Sequence, residues 1–295
     1  MPLKGGIRDL GLGITHPKIP TAAPRILGLI AGKGDLPKAI ASEARKMDYK
    51  VVAVGLRPLA DESLRHFADE FIEINVGHLG KLISSLKKFH ITEAVMAGKV
   101  PKGLLYKNKG RILPDLRAIK LLFSLKDRSD DSIMNGIVHE LEKEGIKLLK
   151  TTAFTKNLLT AEGVLTKKQP DEKQWKDMEF GWKIAKEIGR LDIGQTIIVK
   201  DRAVMAVEAI EGTDEAILRG GALAGAGAVV IKVSKPQQDM RFDVPAVGID
   251  TIHVMKKAHA GVLALEAKKS IIIDRGKFIH EAEKADIAVV GVGDA

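Results

Sequence analysis

Ile26-Leu27-Gly28-Leu29-Ile30-Ala31-Gly32-Lys33-Gly34-Asp35-Leu36-Pro37 is the stretch on which the fold turns. Its first six residues are an unbroken apolar run, which predicts a strand buried on both faces of a parallel sheet. Gly32 to Pro37 reads as a turn. Pro37 suits the first turn of a helix, where its missing N–H costs no hydrogen bond. Lys38 to Met47 then carries Ile40, Ala41 and Ala44 at helical spacing, and Val51 to Gly55 is a second apolar strand. Together these make a βαβ unit of about 30 residues.

The same alternation continues outward from this unit. Strands are predicted at Phe71–Ile74, Ala94–Ala97 and Ile146–Leu149, and helices at Leu79–Phe89 and Leu113–Leu125. A further helix is capped by Asp130 or Asp131, runs to about Glu144 and ends at Gly145. Strands alternating with helices imply a doubly wound parallel sheet, an α/β, Rossmann-like N-terminal domain. Beyond Leu165 the texture changes. Lys167 to Lys173 is polar and reads as a linker, and Trp175–Ile188 as a helix. Thr196–Val199 and Ala203–Glu208 read as a hairpin turning at residues 200–202. Thr213 caps a helix to Leu223, and Val229–Val233 is a strand. Asp250 caps the helix Thr251–Ala260, and strands follow at Val262–Leu265 and Ser270–Ile273. The expected division is an extension over 1–24, a first domain over 25–165 and a mixed α/β C-terminal domain over 166–295.

Composition narrows the chemistry. The 295 residues are 45% hydrophobic and 29% charged, which is globular composition. There is no cysteine, which removes disulfides, thiolate metal sites and a cysteine nucleophile, and fits a cytoplasmic location. The net charge of +9 favours anionic partners, but no basic block with interleaved aromatics points to nucleic acid. No run approaches the roughly 20 apolar residues of a membrane span. Residues 1–24 lack the apolar centre of a signal peptide.

Four motifs carry candidate chemistry. Gly32 and Gly34 precede a helix N-terminus, whose free N–H groups and dipole suit an anion; Leu36 completes that loop. The pattern lacks the third glycine of G-x-G-x-x-G, and the second strand ends in Arg57 where an acid would bind a ribose, so a dinucleotide reading survives only for a 2′-phosphate on Arg57. Arg128-Ser129-Asp130-Asp131 gathers carboxylates at a helix start, as caps or as ligands. Glu208-Ala209-Ile210-Glu211-Gly212-Thr213-Asp214 ends a strand and starts a helix, and its oxygen ligands suit Mg²⁺ beside a phosphate. Arg219 and Lys232 are candidate phosphate partners. Gln238-Asp239-Met240-Arg241-Phe242-Asp243-Val244-Pro245 is the densest polar set, and Asp239 and Asp243 are placed to hold a hard cation or activate water. The eight histidines show no ligand spacing, and no H-E-x-x-H, G-x-S-x-G or G-x-x-x-x-G-K-[ST] occurs.

In this order the motifs resemble the LpxI family of UDP-2,3-diacylglucosamine pyrophosphatases, enzymes of lipid A biosynthesis. The resemblance rests on residues 27–37, 128–131, 206–214 and 235–245 with Val247-Gly248, and spans roughly residues 25–290. It implies a Mg²⁺-dependent hydrolase that splits UDP-2,3-diacylglucosamine into lipid X (2,3-diacylglucosamine 1-phosphate) and UMP, with water attacking the phosphorus nearer the sugar. On that footing Asp239 and Asp243 are expected to be catalytic and, with Asp214 and Asp250, to bind the metal. Gly32, Gly34, Leu36, Lys99, Asp131, Thr213, Arg219, Lys232 and Gln238 are expected to contact substrate. A homodimer and transient contact with the inner membrane are expected as well. The rival readings are an NADP-dependent oxidoreductase and a non-catalytic binder of acylated sugars.

Overall fold

The computed structural model describes residues 24–100, 113–127 and 130–293, with Asp130 and Asp131 described through their backbone alone. In the first half, β1 (Arg25–Ala31), α1 (Leu36–Lys46), β2 (Tyr49–Arg57), β3 (Glu70–Asn75), α2 (Leu79–Lys88) and β4 (Glu93–Ala97) follow in order. Then come α3 (Leu116–Ser124), α4 (Asp130–Lys143) and β5 (Lys147–Leu148). The five strands pair in the order β3-β2-β1-β4-β5, every pair parallel. The expected α/β architecture is present.

A parallel sheet must be covered on both faces, and the alternation along β1 shows how. Leu27, Leu29 and Ala31 pack with Ile40, Ala41 and Ala44 of α1. Ile30 points the other way, into a cluster with Leu82, Ile83 and Leu86 of α2, Ala118 of α3 and Leu141 of α4. The chain order reverses between β2 and β4 at β1. In open α/β sheets that is where a crevice forms at the C-terminal ends of the strands.

The second half builds a different sheet. Its elements are β6 (Gly163–Val164), α5 (Glu172–Arg190), β7 (Thr196–Lys200), β8 (Ala203–Val207), α6 (Thr213–Ala224) and β9 (Val229–Lys232). They continue with β10 (Ala246–Val247), α7 (Ile249–Lys257), β11 (Val262–Glu266), β12 (Ile271–Ile272), α8 (Arg275–Lys284) and β13 (Ala288–Val292). Six strands run β6-β13-β11-β9-β7-β8, parallel at β13-β11-β9 and antiparallel elsewhere, while β10 and β12 form a separate parallel pair. α5 covers one face through Met178 and Ala185. α6, α7 and α8 cover the other through Ile217, Ile252 and Phe278.

Three sequence expectations change. The polar stretch from Lys167 is tied down: its amide donates to Glu283 and Lys168 Nζ to Asp286, both at the end of α8. α5 begins three residues early, because Asp171 and Gln174 exchange side-chain to backbone bonds as a capping box. Thr213 and Asp250 are not caps. Gly212 and Gly248 occupy those positions, leaving Thr213 and Asp250 in the first turns of α6 and α7.

Candidate active site

Lys232, the last residue of β9, lies opposite Thr196 of β7 and is only 4% exposed. An ammonium cannot be buried without partners, and this one has two hydroxyls. Its Nζ donates to Thr213 Oγ1 at 2.9 Å and Thr196 Oγ1 at 3.3 Å. The Thr213 hydroxyl donates in turn to Glu208 Oε1 at 2.8 Å. Glu208, 8% exposed, stands just after β8, and its Oε2 meets no hydrogen-bond partner among the described residues. Gly212, at φ 91, makes the left-handed turn that puts Thr213 beside both charges; a Cβ there would be strained.

Burial pushes the Lys232 amine below its ordinary pKa. The carboxylates of Glu208, Asp243 and Asp214 oppose that shift, and the Lys99 ammonium adds to it. Burial alone would raise Glu208. That is the largest single influence, and the attraction of Lys232 outweighs it only together with the Thr213 hydroxyl, and with the Thr196 hydroxyl and Gln195 amide at less than full hydrogen-bond geometry. The Glu208 carboxyl therefore sits below the usual glutamate range. Five charged groups from both halves of the chain thus share one field.

The first half contributes through the turns after β1 and β4. Gly32 N donates to Ala97 O, and Lys33 and Lys99 exchange backbone bonds at 2.9 and 2.8 Å. A Cβ on Gly32 would lie 2.7 Å from Lys99 O. One on Gly98, at φ 88, would lie 2.8 Å from Lys33 O. The space beside Gly32 is therefore filled by backbone, and its role in the structure is to let two turns zip together. Gly34, at φ 104, has open space where its Cβ would be and faces outward with Lys33. Leu36 starts α1 and packs against the core on that face of the sheet. The zipper holds Lys99 at the crevice edge of the first sheet.

The loop after β9 crosses from the second sheet to the first. Glu266, at the end of β11 and 1% exposed, accepts from Ser234 N at 2.7 Å and from Lys186 Nζ at 3.0 Å, while Lys186 also donates to Ser234 O. Gln238 Oε1 accepts from Ser234 Oγ and Lys235 N, which closes a tight turn. Beyond it, Thr151 N donates to Met240 O and Thr151 Oγ1 to Met96 O and Arg241 O. Phe242 packs into the core beneath the first sheet. Asp243 arrives by this route.

The sequence candidates therefore separate. Lys99, Thr213, Asp214, Lys232 and Asp243 are brought together. Asp239 is turned aside: its carboxylate is bound by Arg241 through Nε at 3.0 Å and Nη2 at 2.6 Å, and the guanidinium holds it below the usual aspartate range. Arg219 is engaged on the surface by Glu211 and Val207 O. Gln238 serves the turn. Asp250 is exposed on α7, 4.0 Å from His253. The Asp131 side chain lies outside the described residues. No three acids or histidines form a ready-made cation cage among the described residues. Glu208 stands inside a motif quoted above, yet the sequence reading did not single it out. A glutamate directly after an apolar strand and before Gly-Thr is the signal that would have found it.

Comparison with known proteins covers nearly all of the chain. The LpxI N-terminal domain model matches residues 26–158 and the LpxI C-terminal domain model residues 161–290. UDP-2,3-diacylglucosamine pyrophosphatase LpxI of Caulobacter vibrioides is 32% identical over 280 residues, covering 91% of this chain and 98% of that protein. Among solved structures, N5-carboxyaminoimidazole ribonucleotide synthetase in complex with ADP overlaps with a TM-score of 0.27 at 16% identity, over 59% of this chain and 32% of that one. A glycinamide-RNase-transformylase T from Mycobacterium tuberculosis gives 0.23 at 9% identity, over 63% and 44%.

Proposed function

The chain belongs to the LpxI family, and from that premise we propose that it hydrolyses the diphosphate of UDP-2,3-diacylglucosamine in lipid A biosynthesis. The observation that carries this reading is the buried Lys232, set among Glu208, Thr213, Asp214, Asp243 and Lys99 where the two sheets meet. A diphosphate needs cationic donors where negative charge develops, and two lysines from different sheets supply them. α6 begins with no side-chain cap at Gly212, which leaves its first N–H groups for an anion such as a substrate phosphate.

Water adds to the phosphorus nearer the sugar, the P–O bond to the bridging oxygen breaks, and that oxygen leaves on UMP. The other product is 2,3-diacylglucosamine 1-phosphate. Asp243 is the carboxylate assigned to orient the water and take its proton, because Asp239 is occupied by Arg241. Lys232 and Lys99 hold the phosphate oxygens. Glu208 opposes the effect of burial on the Lys232 ammonium, and Thr213 links the two and aims the ammonium.

The donors suit Mg²⁺. This ion is usually held by one or two carboxylates plus substrate phosphates and water, not by an all-protein cage. Asp214 and Asp243 are the residues that would hold it, and bound there it would neutralise charge on the diphosphate. The protein is assigned to the cytoplasm as a homodimer.

The test is incubation with UDP-2,3-diacylglucosamine in ¹⁸O-water, with Mg²⁺ or with chelator, followed by mass analysis. The expected result is ¹⁸O in the lipid phosphate and turnover only with Mg²⁺. Absence of UMP under every condition would reject the hydrolase. Label in UMP would reject the assigned phosphorus.

A further inference from the structure

α3 is short, and one side of it is built for water to see while carrying residues that water disfavours. Residues at 116, 119, 120 and 123 share a face by helical spacing. Leu116 is 78% exposed, Phe123 81% exposed, Ile119 is half-buried and Lys120 is exposed. Leu113, two residues before the cap Asp115, is 71% exposed. The opposite face is used normally, with Ala118 buried and Leu121 packed into the core. Scattered exposed apolar residues need no explanation, but Leu116 and Phe123 on one side of α3, with Leu113 just before its cap, make a patch of three large ones within eleven residues.

Charge surrounds this patch unevenly. Lys120 stands within it and Lys126 just beyond its end. Arg117 and Lys143 lie along the groove between α3 and α4, about 540 Å³ and lined also by Leu116, Leu121 and Glu140. The two glutamates nearby are already bound: Glu140 by Arg117 and Lys143, Glu144 by Lys87 and Arg117. Arg117 and Lys143 are engaged by those glutamates, which leaves Lys120 among the apolar side chains and Lys126 at their end. This pairing of exposed apolar groups with lysine matches an anionic lipid interface, which takes up the former and attracts the latter.

Position gives the patch a purpose. Asp115 caps α3 through Ala118 N and also accepts from Gly80 N at the start of α2. The start of α2 lies at the C-terminal edge of the first sheet, the edge that carries Lys99. We infer that the exposed face of α3, with Leu113, Leu116, Lys120 and Phe123, docks on an anionic lipid bilayer and presents the crevice edge to lipid-linked substrate. The inference rests on the hydrolase reading for its purpose, and on the patch alone for the binding.

The experiment is flotation of the full chain with vesicles of phosphatidylethanolamine and phosphatidylglycerol, against vesicles of phosphatidylcholine. It compares the natural protein with Leu116→Gln/Phe123→Gln and with Lys120→Glu. The expected result is preference for the anionic vesicles, reduced at least fivefold in both variants, with unchanged melting temperature and unchanged hydrolysis of detergent-dispersed substrate. Binding as strong as that of the natural protein in both variants overturns the inference. So does a change of oligomeric state in the double variant, which would make the face a subunit contact. Loss of turnover in detergent also overturns it, making the face an acyl-chain site. Vesicle binding by a chain that hydrolyses nothing would uphold this inference and reject the hydrolase.

Discussion

Lys232 and Glu208 are two buried opposite charges that communicate through a third residue, the hydroxyl of Thr213, which accepts from one at 2.9 Å and donates to the other at 2.8 Å. The hydroxyl fixes where the ammonium points and keeps the pair from collapsing into a closed ion pair. Removing it while keeping the shape is the direct test. Thr213→Val is expected to cost about 1–3 kcal/mol of stability, since both charges lose a buried partner. Hydrolysis is expected to fall by about 10²-fold, the scale of losing one preorganised donor. Thr213→Ser, which restores the hydroxyl, should recover most of both. Denaturant unfolding and UMP release measure the two effects, and a fully active valine variant would remove the relay from the mechanism.

The Glu208 carboxyl is held low by Lys232, so its contribution to stability has a definite sign. A depressed folded-state pKa stabilises the protein above the unfolded value, near 4.3, and that contribution disappears as pH falls through the folded value. Glu208→Gln should therefore be less stable than the natural protein at pH 7, with the gap narrowing below about pH 4. The measurement is the urea midpoint from pH 3 to 7. A gap constant across that range would show that the carboxylate is not paired as described.

Asp239 and Asp243 sit four residues apart and are predicted to behave differently. Asp243→Asn should abolish turnover with little change in melting temperature, because its side chain enters the field of Lys232 and not a structural network. Asp239→Asn should loosen the loop by releasing Arg241, which also reaches Asn135 of α4. Its defect should thus be shared by Arg241→Gln. Equal and independent losses for Asp239→Asn and Arg241→Gln, adding in the double variant, would contradict this pairing.

Gly98→Ala should be destabilising for two reasons at once. The residue is at φ 88, and its Cβ would lie 2.8 Å from backbone atoms of the turn after β1. Strain of this kind costs roughly 1–3 kcal/mol. Because the zipper holds Lys99, KM for the substrate should rise as well. Gly34→Ala faces open space at φ 104 and should cost only its backbone strain. Thermal unfolding of the two variants separates steric contact from conformation.

Much of this architecture could be read along the chain because it depends on local chemistry. The apolar runs of β1, β2 and β4, the helical spacing of α1 and α2, and the hairpin of β7 and β8 fall where expected. Short elements were harder. β6 and β10 are two residues each and owe their existence to partners far away in sequence, Gly291 and Ile271 among them. α8 is hard to see because it is broadly polar, with Phe278 and Ala282 as its buried residues, whereas the apolar run of β13 carries a plain strand signal that the sequence reading passed over.

The motifs around Gly32, Thr213, Lys232 and Asp243 could each be picked out from residue type and position, and their order along the chain identified the family they resemble. Sequence alone could not sort them. Asp239 and Asp243 look equivalent in the string, and only the folded loop gives one to Arg241 and the other to Lys232. Gly32 reads as room for a phosphate, and the fold spends that room on the backbone of Lys99. Glu208 reads as the end of a strand, and the second sheet makes it the buried counter-charge of Lys232. Side-chain chemistry and periodicity are properties of neighbours in the chain, so the sequence determined the strands, the helices and the inventory of charges. Burial and the distance between charges depend on which segments the two sheets press together. The tertiary structure alone therefore decided which of those charges act as one site.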